Sequence, residues 1–253
     1  MKWRLIEQEA YDAAANMAID QAIYESVALE KELPTIRFYK WLPSSVSIGA
    51  YQNHSDIDIE ACKKFGIGCV RRMTGGRAVF HDRKDFTYSV AAPLRAFDYN
   101  IKNAYAVICS WIIGALSDIG IEAELKNTND IVAGGKKISG NASKMMSHGI
   151  YLQHGTLIYS IDFEVMPKVM KIDPEIMREK ATSVTENASI SNDEVYSRLK
   201  NSFARSKKIT ATGLSMKEVE RAQSLAMSKY RILALPKEHF SKSAGACYAV
   251  HGN

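Results

Sequence analysis

An α+β fold with a mixed, mainly antiparallel β-sheet flanked by helices is predicted from three observations. Strand-like and helix-like segments intermix without the regular alternation that builds a doubly wound parallel sheet. One helix is clear, because Ile101, Tyr105, Ile108, Ile112, Ala115 and Ile119 recur at helical spacing and Gly120 stops the run. Downstream of it, Ile121–Leu125, Asp130–Val132, Lys137–Met145 and Tyr151–Tyr159 read as successive strands.

The remaining elements follow in chain order. Trp3–Ile6 reads as a short strand and Ala13–Leu29 as a helix with Met17, Ala18, Ala22 and Ile23 toward one side. Thr35–Tyr39 and Ser45–Ile48 are strands separated by Leu42-Pro43. Ile57–Phe65 is a short helix stopped by Gly66, and Ile67–Arg71 is a strand that feeds a glycine pair. Asp85–Ala91 alternates as a strand does. Phe163–Val169 is expected as a short helix, Lys171–Asn187 as an exposed loop, and Asn192–Phe203 and Lys217–Tyr230 as two further helices. The chain is divided here into a core of residues 1–187 and a C-terminal helical segment, 188–253, of the same domain.

Length and composition bound the function. A chain of 253 residues with 46% hydrophobic content can build one large core. The net charge of +5 suits an acidic protein partner but lacks the dense Lys/Arg clustering of a nucleic-acid binder. Cys62, Cys69, Cys109 and Cys247 are scattered and form no Cys-x-x-Cys pair, which points to free thiols in a reducing compartment. No signal-peptide pattern or membrane-length apolar run is present, so a cytoplasmic protein is expected.

Chemistry concentrates in two stretches. Val70-Arg71-Arg72-Met73-Thr74-Gly75-Gly76-Arg77-Ala78-Val79-Phe80-His81-Asp82 places two arginines and a hydroxyl beside a glycine pair. Consecutive N–H groups in such a loop form an anion-binding concavity, and guanidinium forks match phosphate or carboxylate oxygens. The second stretch runs Asn127-Thr128-Asn129-Asp130-Ile131-Val132, then Gly134-Gly135-Lys136-Lys137-Ile138-Ser139-Gly140-Asn141-Ala142-Ser143, then Gln153-His154-Gly155-Thr156. Strand alternation sends the two lysines to opposite faces, with Lys136 toward solvent and Lys137 inward. Asn129 and Asp130 offer oxygens to a magnesium ion, or Asp130 caps a turn. Neither His81 nor His154 has a second histidine at metal-ligand spacing, so no zinc site is expected.

These motifs, in this order, resemble the lipoate–protein ligase A family, within the superfamily that also holds biotin ligases and octanoyl or lipoyl transferases. Asn16-Met17-Ala18-Ile19-Asp20, Ile36-Arg37-Phe38-Tyr39 and Val46-Ser47-Ile48-Gly49-Ala50-Tyr51-Gln52-Asn53 extend the resemblance, which runs to about Ser183-Val184-Thr185. It implies a biotin/lipoate protein ligase-like catalytic domain with the ligand in a cleft over the sheet. It further implies attachment of lipoate to a lysine through lipoyl-AMP, with ATP and Mg2+. Lys137 is then the catalytic residue, set at the acyl carbonyl oxygen and the α-phosphate. Arg72, Thr74, Gly75, Gly76, Arg77, Ala78, Val79, Phe80 and Ala142 surround nucleotide and adenylate, although Arg72 reads equally as a structural arginine. His81, His154 and Gly155 join Lys137 beside lipoate, and Phe38 and Tyr51 are candidates for an acyl tunnel or for plain core. The implied acceptors are apo lipoyl domains, of a 2-oxoacid dehydrogenase E2 or the glycine-cleavage H protein.

Three departures qualify the resemblance. Arg77 stands where many of these ligases carry a third glycine. No room is left after the last helices for the extra domain of about 90 residues that full-length bacterial ligases carry, which implies a separate accessory subunit. Lys229-Tyr230 lacks the Trp-Asn that often follows in relatives. The competing expectation is a transferase that moves octanoyl or lipoyl groups through a cysteine thioester. The resembling transferases place that cysteine just before the Lys-Ile-Ser-Gly strand, where this chain reads Leu125-Lys126-Asn127-Thr128-Asn129-Asp130. A binding protein without turnover is the third reading.

Overall fold

The computed structural model describes residues 1–230, the side chain of Ser147 excepted. Eleven strands and eight α-helices alternate irregularly among them. The strands are β1 (Lys2–Tyr11), β2 (Thr35–Trp41), β3 (Ser45–Ile48), β4 (Gly68–Arg71), β5 (Val79–His81), β6 (Phe86–Pro93), β7 (Glu124–Lys126), β8 (Asp130–Ala133), β9 (Lys136–Met145), β10 (Ile150–Leu157) and β11 (Lys208–Ala211). The helices are α1 (Ala13–Ala28), α2 (Ile59–Phe65), α3 (Ile101–Ser117), α4 (Met166–Met170), α5 (Pro174–Lys180), α6 (Val184–Asn187), α7 (Asn192–Ala204) and α8 (Met216–Ser228).

Eight strands form one sheet in the order β11-β1-β2-β6-β10-β9-β8-β7. β1 pairs in parallel with both β11 and β2. Every other neighbour in this sheet is antiparallel. A second sheet, β4-β3-β5, carries the strands on either side of the glycine loop. The expected mixed, mainly antiparallel sheet is therefore present, with helices on both faces.

Period-two alternation sorts the strand residues between two cores. Ile36, Phe38, Tyr88 and Val90 face α3 and α7, whereas Tyr39, Trp41, Ala91 and Leu152 face α1 and α8. The first core holds a ring cluster in which Phe203 sits 5.0 Å from both Phe38 and Tyr88, edge to face. α1 is buried nearly all round, which is why it lacks a clean polar stripe. Asp12 caps it by accepting from the Ala15 backbone N–H. The small sheet closes over its own cluster of Val46, Ile48, Cys62, Cys69 and Phe80.

A run of polar groups stitches the two sheets together. Trp41 Nε1 can only donate, and does so to Thr87 Oγ1 at 2.9 Å. The run continues from Thr87 Oγ1 to Thr156 Oγ1 at 3.0 Å, from Thr156 Oγ1 to His81 Nδ1 at 3.0 Å, and from His81 Nε2 to Ser47 Oγ at 2.8 Å. The His81 ring also stacks on Trp41, with centroids 4.1 Å apart.

Two expectations are corrected. Lys171–Asn187 is not a loop, because it contains α5 and α6 and buries Thr182, Ser183 and Val184. Asp173-Pro174 is the start signal that its polarity obscured: the Asp173 carboxylate accepts from Glu175 and Ile176 N–H with proline in the first turn. The C-terminal segment is not purely helical, since β11 lies between α7 and α8 and extends the large sheet. Lys-Ile-Thr-Ala is too short and too exposed to show alternation. No helix among the described residues is long and apolar enough to cross a membrane.

α8 is locked to β1 through a buried ion pair. Arg4 reaches Glu218 with two bonds of 2.8 and 2.6 Å, and its Nε donates to Thr35. Glu218 also completes the capping box of α8 with Ser215. Glu218→Ala leaves the Arg4 charge buried with Glu32 alone, 3.3 Å away. It should destabilise the fold by about 3 kcal/mol, read from urea denaturation.

The seam gives a second expected outcome. Burial, joined by the Arg72 charge, holds the His81 imidazole well below its ordinary 6.5. The unfolded chain binds that proton below about pH 6.5 and the folded chain does not, so this contribution is complete above that pH and lost as pH falls. The slope should be at most about 1.4 kcal/mol per pH unit, and His81→Gln should flatten it in urea melts taken from about pH 6.5 to 5.

Candidate functional site

The cleft lies where β2, β6, β9 and β10 of the large sheet meet the glycine loop between β4 and β5. It encloses a cavity of about 300 Å³, with Met17, Tyr39, Trp41 and Val79 as apolar lining and Arg72, His81, Asn129, Asp130, Lys137 and His154 as polar lining. Gly76, Arg77, Ala78, Ala142 and Gly155 also line it. The site residues expected from the two motif stretches are thus brought together, with three exceptions described below.

The floor is anchored by Asp20 on α1. Its Oδ1 accepts from Arg37 at 2.7 Å and from Ser89 Oγ at 2.8 Å. Its Oδ2 accepts from Tyr39 at 2.9 Å and pairs with His154 Nδ1 at 3.3 Å. Burial alone would raise the Asp20 carboxyl, but the His154 hydrogen bond and the Arg37 charge outweigh it and hold the group below the usual carboxylate value. Asn16, one turn earlier, fixes Arg37 from the other side with its Oδ1 at 2.7 Å.

That anchor reaches the glycine loop through His154, whose Nε2 lies 2.6 Å from Thr74 Oγ1. Thr74 Oγ1 in turn accepts from Arg72 Nε at 3.1 Å. The rest of the Arg72 guanidinium donates to the carbonyls of Ser47, Gly75 and Arg77 at 2.9, 2.7 and 2.8 Å. Arg72 lines the cleft and makes no salt bridge among the described residues: its partners are loop carbonyls and hydroxyls rather than a carboxylate. Gly76 has φ +92°, and a Cβ there would lie 3.0 Å from Arg72 Nη2, so the loop as folded needs glycine.

Lys136 and Lys137 diverge as alternation requires. Lys136 is exposed and bonds the Arg178 carbonyl, whereas Lys137 lines the cleft and pairs with Asp130 at 2.6 Å. The Lys137 stem crosses Gly140, whose missing Cβ would fall 2.8 Å from its ammonium. The strand end is held by the Thr182 N–H, which donates to the Lys137 carbonyl at 2.9 Å. Arg77 sits exposed at the cleft edge with no ion pair among the described residues.

Three expected site residues stand apart from the lining. Phe80 lies between Val79 and His81 on β5, so alternation turns its side chain into the small sheet's core. Thr74 is buried beneath the loop, and Gly75 contributes its carbonyl to Arg72. Of the tunnel candidates, Phe38 is core and Tyr51 is 90% exposed. Tyr39 and Trp41, on the same strand, line the cleft instead.

Asn129 and Asp130 share the cleft rim but form no closed metal cage. Asn129 Nδ2 donates to the Asn141 carbonyl, and the Asp130 carboxylate faces Lys137 rather than a turn backbone. No group of three or more His, Cys, Asp or Glu residues that could hold a metal occurs among the described residues. One carboxylate fits a magnesium ion that arrives on phosphate oxygens, and does not fit a resident ion. Sequence reasoning missed Asp20, Arg37, Ser47 and Asn141. Asn16 and Asp20, polar residues four apart in the otherwise apolar first half of α1, were the signal for the first two.

Comparison with known proteins places this geometry in a family. Residues 12–204 match the model of the lipoyl protein ligase A/B catalytic domain. The chain is 33% identical over 222 residues to octanoyltransferase LipM of Anoxybacillus flavithermus, covering 78% of this chain and 79% of that protein. It superposes on a crystal structure of lipoate-protein ligase A bound with ATP with TM-score 0.80 and 30% identity, covering 90% of this chain and 96% of the other. A structure of a bi-partite lipoate protein ligase from Thermoplasma acidophilum, described with its E2 lipoyl domain, superposes with TM-score 0.79 and 28% identity over 90% and 93% of the two chains. With the glycine loop, the inward lysine and the shared fold in agreement, this chain belongs to the lipoyl protein ligase A/B catalytic domain family and is an enzyme of the lipoate ligase and octanoyltransferase group.

Proposed function

We propose that the chain is a lipoate–protein ligase, forming lipoyl-AMP from lipoate and ATP and passing the lipoyl group to a lysine of a lipoyl domain. The observation that carries this reading is Lys137, an ammonium directed into an apolar-lined cleft opposite the glycine loop, in a cleft that no described cysteine lines. Cys62, Cys69 and Cys109 are all buried. Burial pushes their thiols up to about 11, 12 and 12, so none supplies a thiolate near neutral pH. Cys247 lies outside the described residues.

Each residue then has a task. A carboxylate oxygen is a poor leaving group until it is activated as an acyl phosphate anhydride. The loop N–H groups and Arg77 face the phosphates; magnesium would enter with the nucleotide and offset its phosphate charge, with Asp130 the carboxylate that would hold it. Lys137 holds the acyl carbonyl oxygen and the α-phosphate oxygen, so the same fixed cation opposes the developing charge in both half-reactions. Tyr39, Trp41, Met17 and Val79 cover the acyl chain and keep water from the anhydride. The acceptor amine attacks the acyl carbon, and AMP leaves with the bonding electrons. Following the bi-partite Thermoplasma enzyme, the acceptor is a lipoyl domain and an accessory subunit assists adenylation. The protein's +5 charge favours an acidic acceptor, with association weakened by salt.

The second reading is octanoyl transfer, which the LipM relatives favour. It requires a thioester at a cysteine, and β7 to β8 spans Glu124 to Ala133 without one. A mass assay with an apo lipoyl domain separates the two: the ligase needs lipoate, ATP and magnesium, whereas the transferase uses an octanoyl carrier protein without ATP. Modification that proceeds equally well without ATP would overturn the ligase reading.

Lys137→Ala should lower lipoyl transfer from lipoyl-AMP by ~10²–10³ while circular dichroism and melting stay near wild type. A folded variant with normal turnover would defeat the assignment. Replacing Cys62, Cys69 and Cys109 by alanine, with Cys247 by serine, should preserve modification at some loss of stability, because three of the four thiols are buried. A trapped acyl thioester at any one of them would decide for transfer.

A further inference from the structure

We propose that Tyr88, which lies outside the cleft lining, is a positioning residue that sets the Asp130–Lys137 pair for the reaction; this rests on the role proposed for Lys137. The argument starts from a buried polar chain behind β9 and β10. Tyr151 O–H donates to Gln153 Oε1 at 2.7 Å, and Gln153 Nε2 donates to Tyr88 Oη at 3.0 Å. Tyr88 O–H donates to Asn141 Oδ1 at 2.6 Å, and Asn141 Nδ2 donates to the Asn129 carbonyl at 3.0 Å. Tyr151, Gln153, Tyr88 and Asn141 are all buried.

Satisfaction of this chain has one direction. The Asn129 carbonyl only accepts, so Asn141 must present Nδ2 to it and Oδ1 to Tyr88, and Gln153 in turn presents Nε2 to Tyr88 and Oε1 to Tyr151. Tyr88 then has its oxygen occupied as acceptor and its proton committed to Asn141. An amide flip at Asn141 would set its oxygen against the Asn129 carbonyl, and one at Gln153 would set its oxygen against the Tyr88 oxygen; acceptor facing acceptor in a dry interior is expensive.

Asn141 uses that orientation to hold the turn that carries Asp130. Its backbone N–H also donates to the Asn129 carbonyl at 3.0 Å, and Asn129 Nδ2 returns to the Asn141 carbonyl at 3.2 Å. The clamp is needed because Asn127 and Thr128, just before, have φ +52° and +72°. A β-branched threonine in that region is strained and persists when its surroundings over-determine it. The next residue after the clamped Asn129 is Asp130, whose carboxylate meets the Lys137 ammonium at 2.6 Å.

Gly155 shows that the sequence makes space for this path. The Asn141 side chain passes over it on the way to Tyr88, and a Cβ at Gly155 would fall 2.0 Å from Asn141 Oδ1 and 2.9 Å from Tyr88 Oη. The glycine expected beside lipoate therefore also admits the link between the aromatic core and the catalytic pair. Tyr88 sits on β6, paired with Gly155 of β10, so both ends of the link lie in the central strands of the sheet.

Tyr88→Phe removes one oxygen and leaves the ring against Phe203. We expect it to lower kcat for lipoyl transfer from lipoyl-AMP roughly tenfold while KM for lipoyl-AMP moves less than about twofold. In an Asp130→Ala background the added Tyr88→Phe change should have little further effect on kcat, because the group it positions is gone. Hydrogen exchange gives a readout independent of activity: the Asn141 amide should exchange roughly tenfold faster in Tyr88→Phe, with the Val90 amide on the same strand unchanged. Unchanged Asn141 exchange overturns the proposal, as does a Tyr88→Phe loss of kcat that is the same with and without Asp130. If Lys137→Ala turns over normally, the functional reading fails instead, and the exchange result still decides whether Tyr88 holds the Asp130 turn.

Discussion

The buried Asp20 carboxylate is the constraint on which the cleft depends. A charge taken from water into a protein interior is costly unless pairing and hydrogen bonds compensate it. Here Arg37, Tyr39, Ser89 and His154 converge on it from β2, β6 and β10. Four elements must therefore be in register before the charge is satisfied. His154 carries that register to Thr74, and Thr74 to Arg72, so the glycine loop takes its place from a helix packed on the same face of the large sheet. Specificity of assembly, rather than net stability, is what such a network provides.

The opposite wall is held by separate means. Lys137 belongs to a β9 that is pinned at its start by Thr182, within a segment whose α5 and α6 pack beside it. Asp130 belongs to a hairpin clamped by Asn141. The floor and this wall touch through β9 and β10, where Ala142 is opposite His154 and Asn141 is opposite Gly155. One register thus serves both networks: even positions of β10 face the Asp20 side and odd positions face the Tyr88 side. A slip of one residue would exchange His154 for Gly155 and disconnect both.

The sequence disclosed most of the fold through periodicity, and the two motif stretches through their glycines and charges. α3 was legible because its apolar residues repeat at helical spacing, and Lys137 because alternation separates it from Lys136. What stayed hidden was whatever periodicity cannot encode. β11 is four residues at an edge, with no alternation to read. The α5–α6 segment is polar because most of it is exposed, although Thr182, Ser183 and Val184 inside it are buried, with Thr182 bonded to β9 and Val184 to the Ile158 carbonyl just after β10. Phe80 read as part of a contiguous motif, yet contiguity on a strand divides residues between two faces. Arg37 and Asn141 act over long sequence separations, and single residues carry no sign of such partners.

Arg72 shows how a motif residue can hold a loop with every donor while its charge, met by no carboxylate among the described residues, still acts on the cleft it lines. A guanidinium has five N–H donors in a fixed plane. In this chain they are committed to Ser47, Thr74, Gly75 and Arg77. Lysine, with a point charge and three donors, cannot reproduce a fork that ties one strand end to both sides of a turn. The cations with N–H donors left to offer the cleft are then Arg77, exposed at its edge, and Lys137, whose partner Asp130 is 26% exposed and, on the reading proposed above, exchanges it for a substrate oxygen. Arg77 stands where a third glycine would give backbone freedom and no charge. On the reading proposed above, this cleft trades some loop flexibility for a second mobile cation, and its affinity for phosphate should owe more to side chains than the glycine-only loop allows.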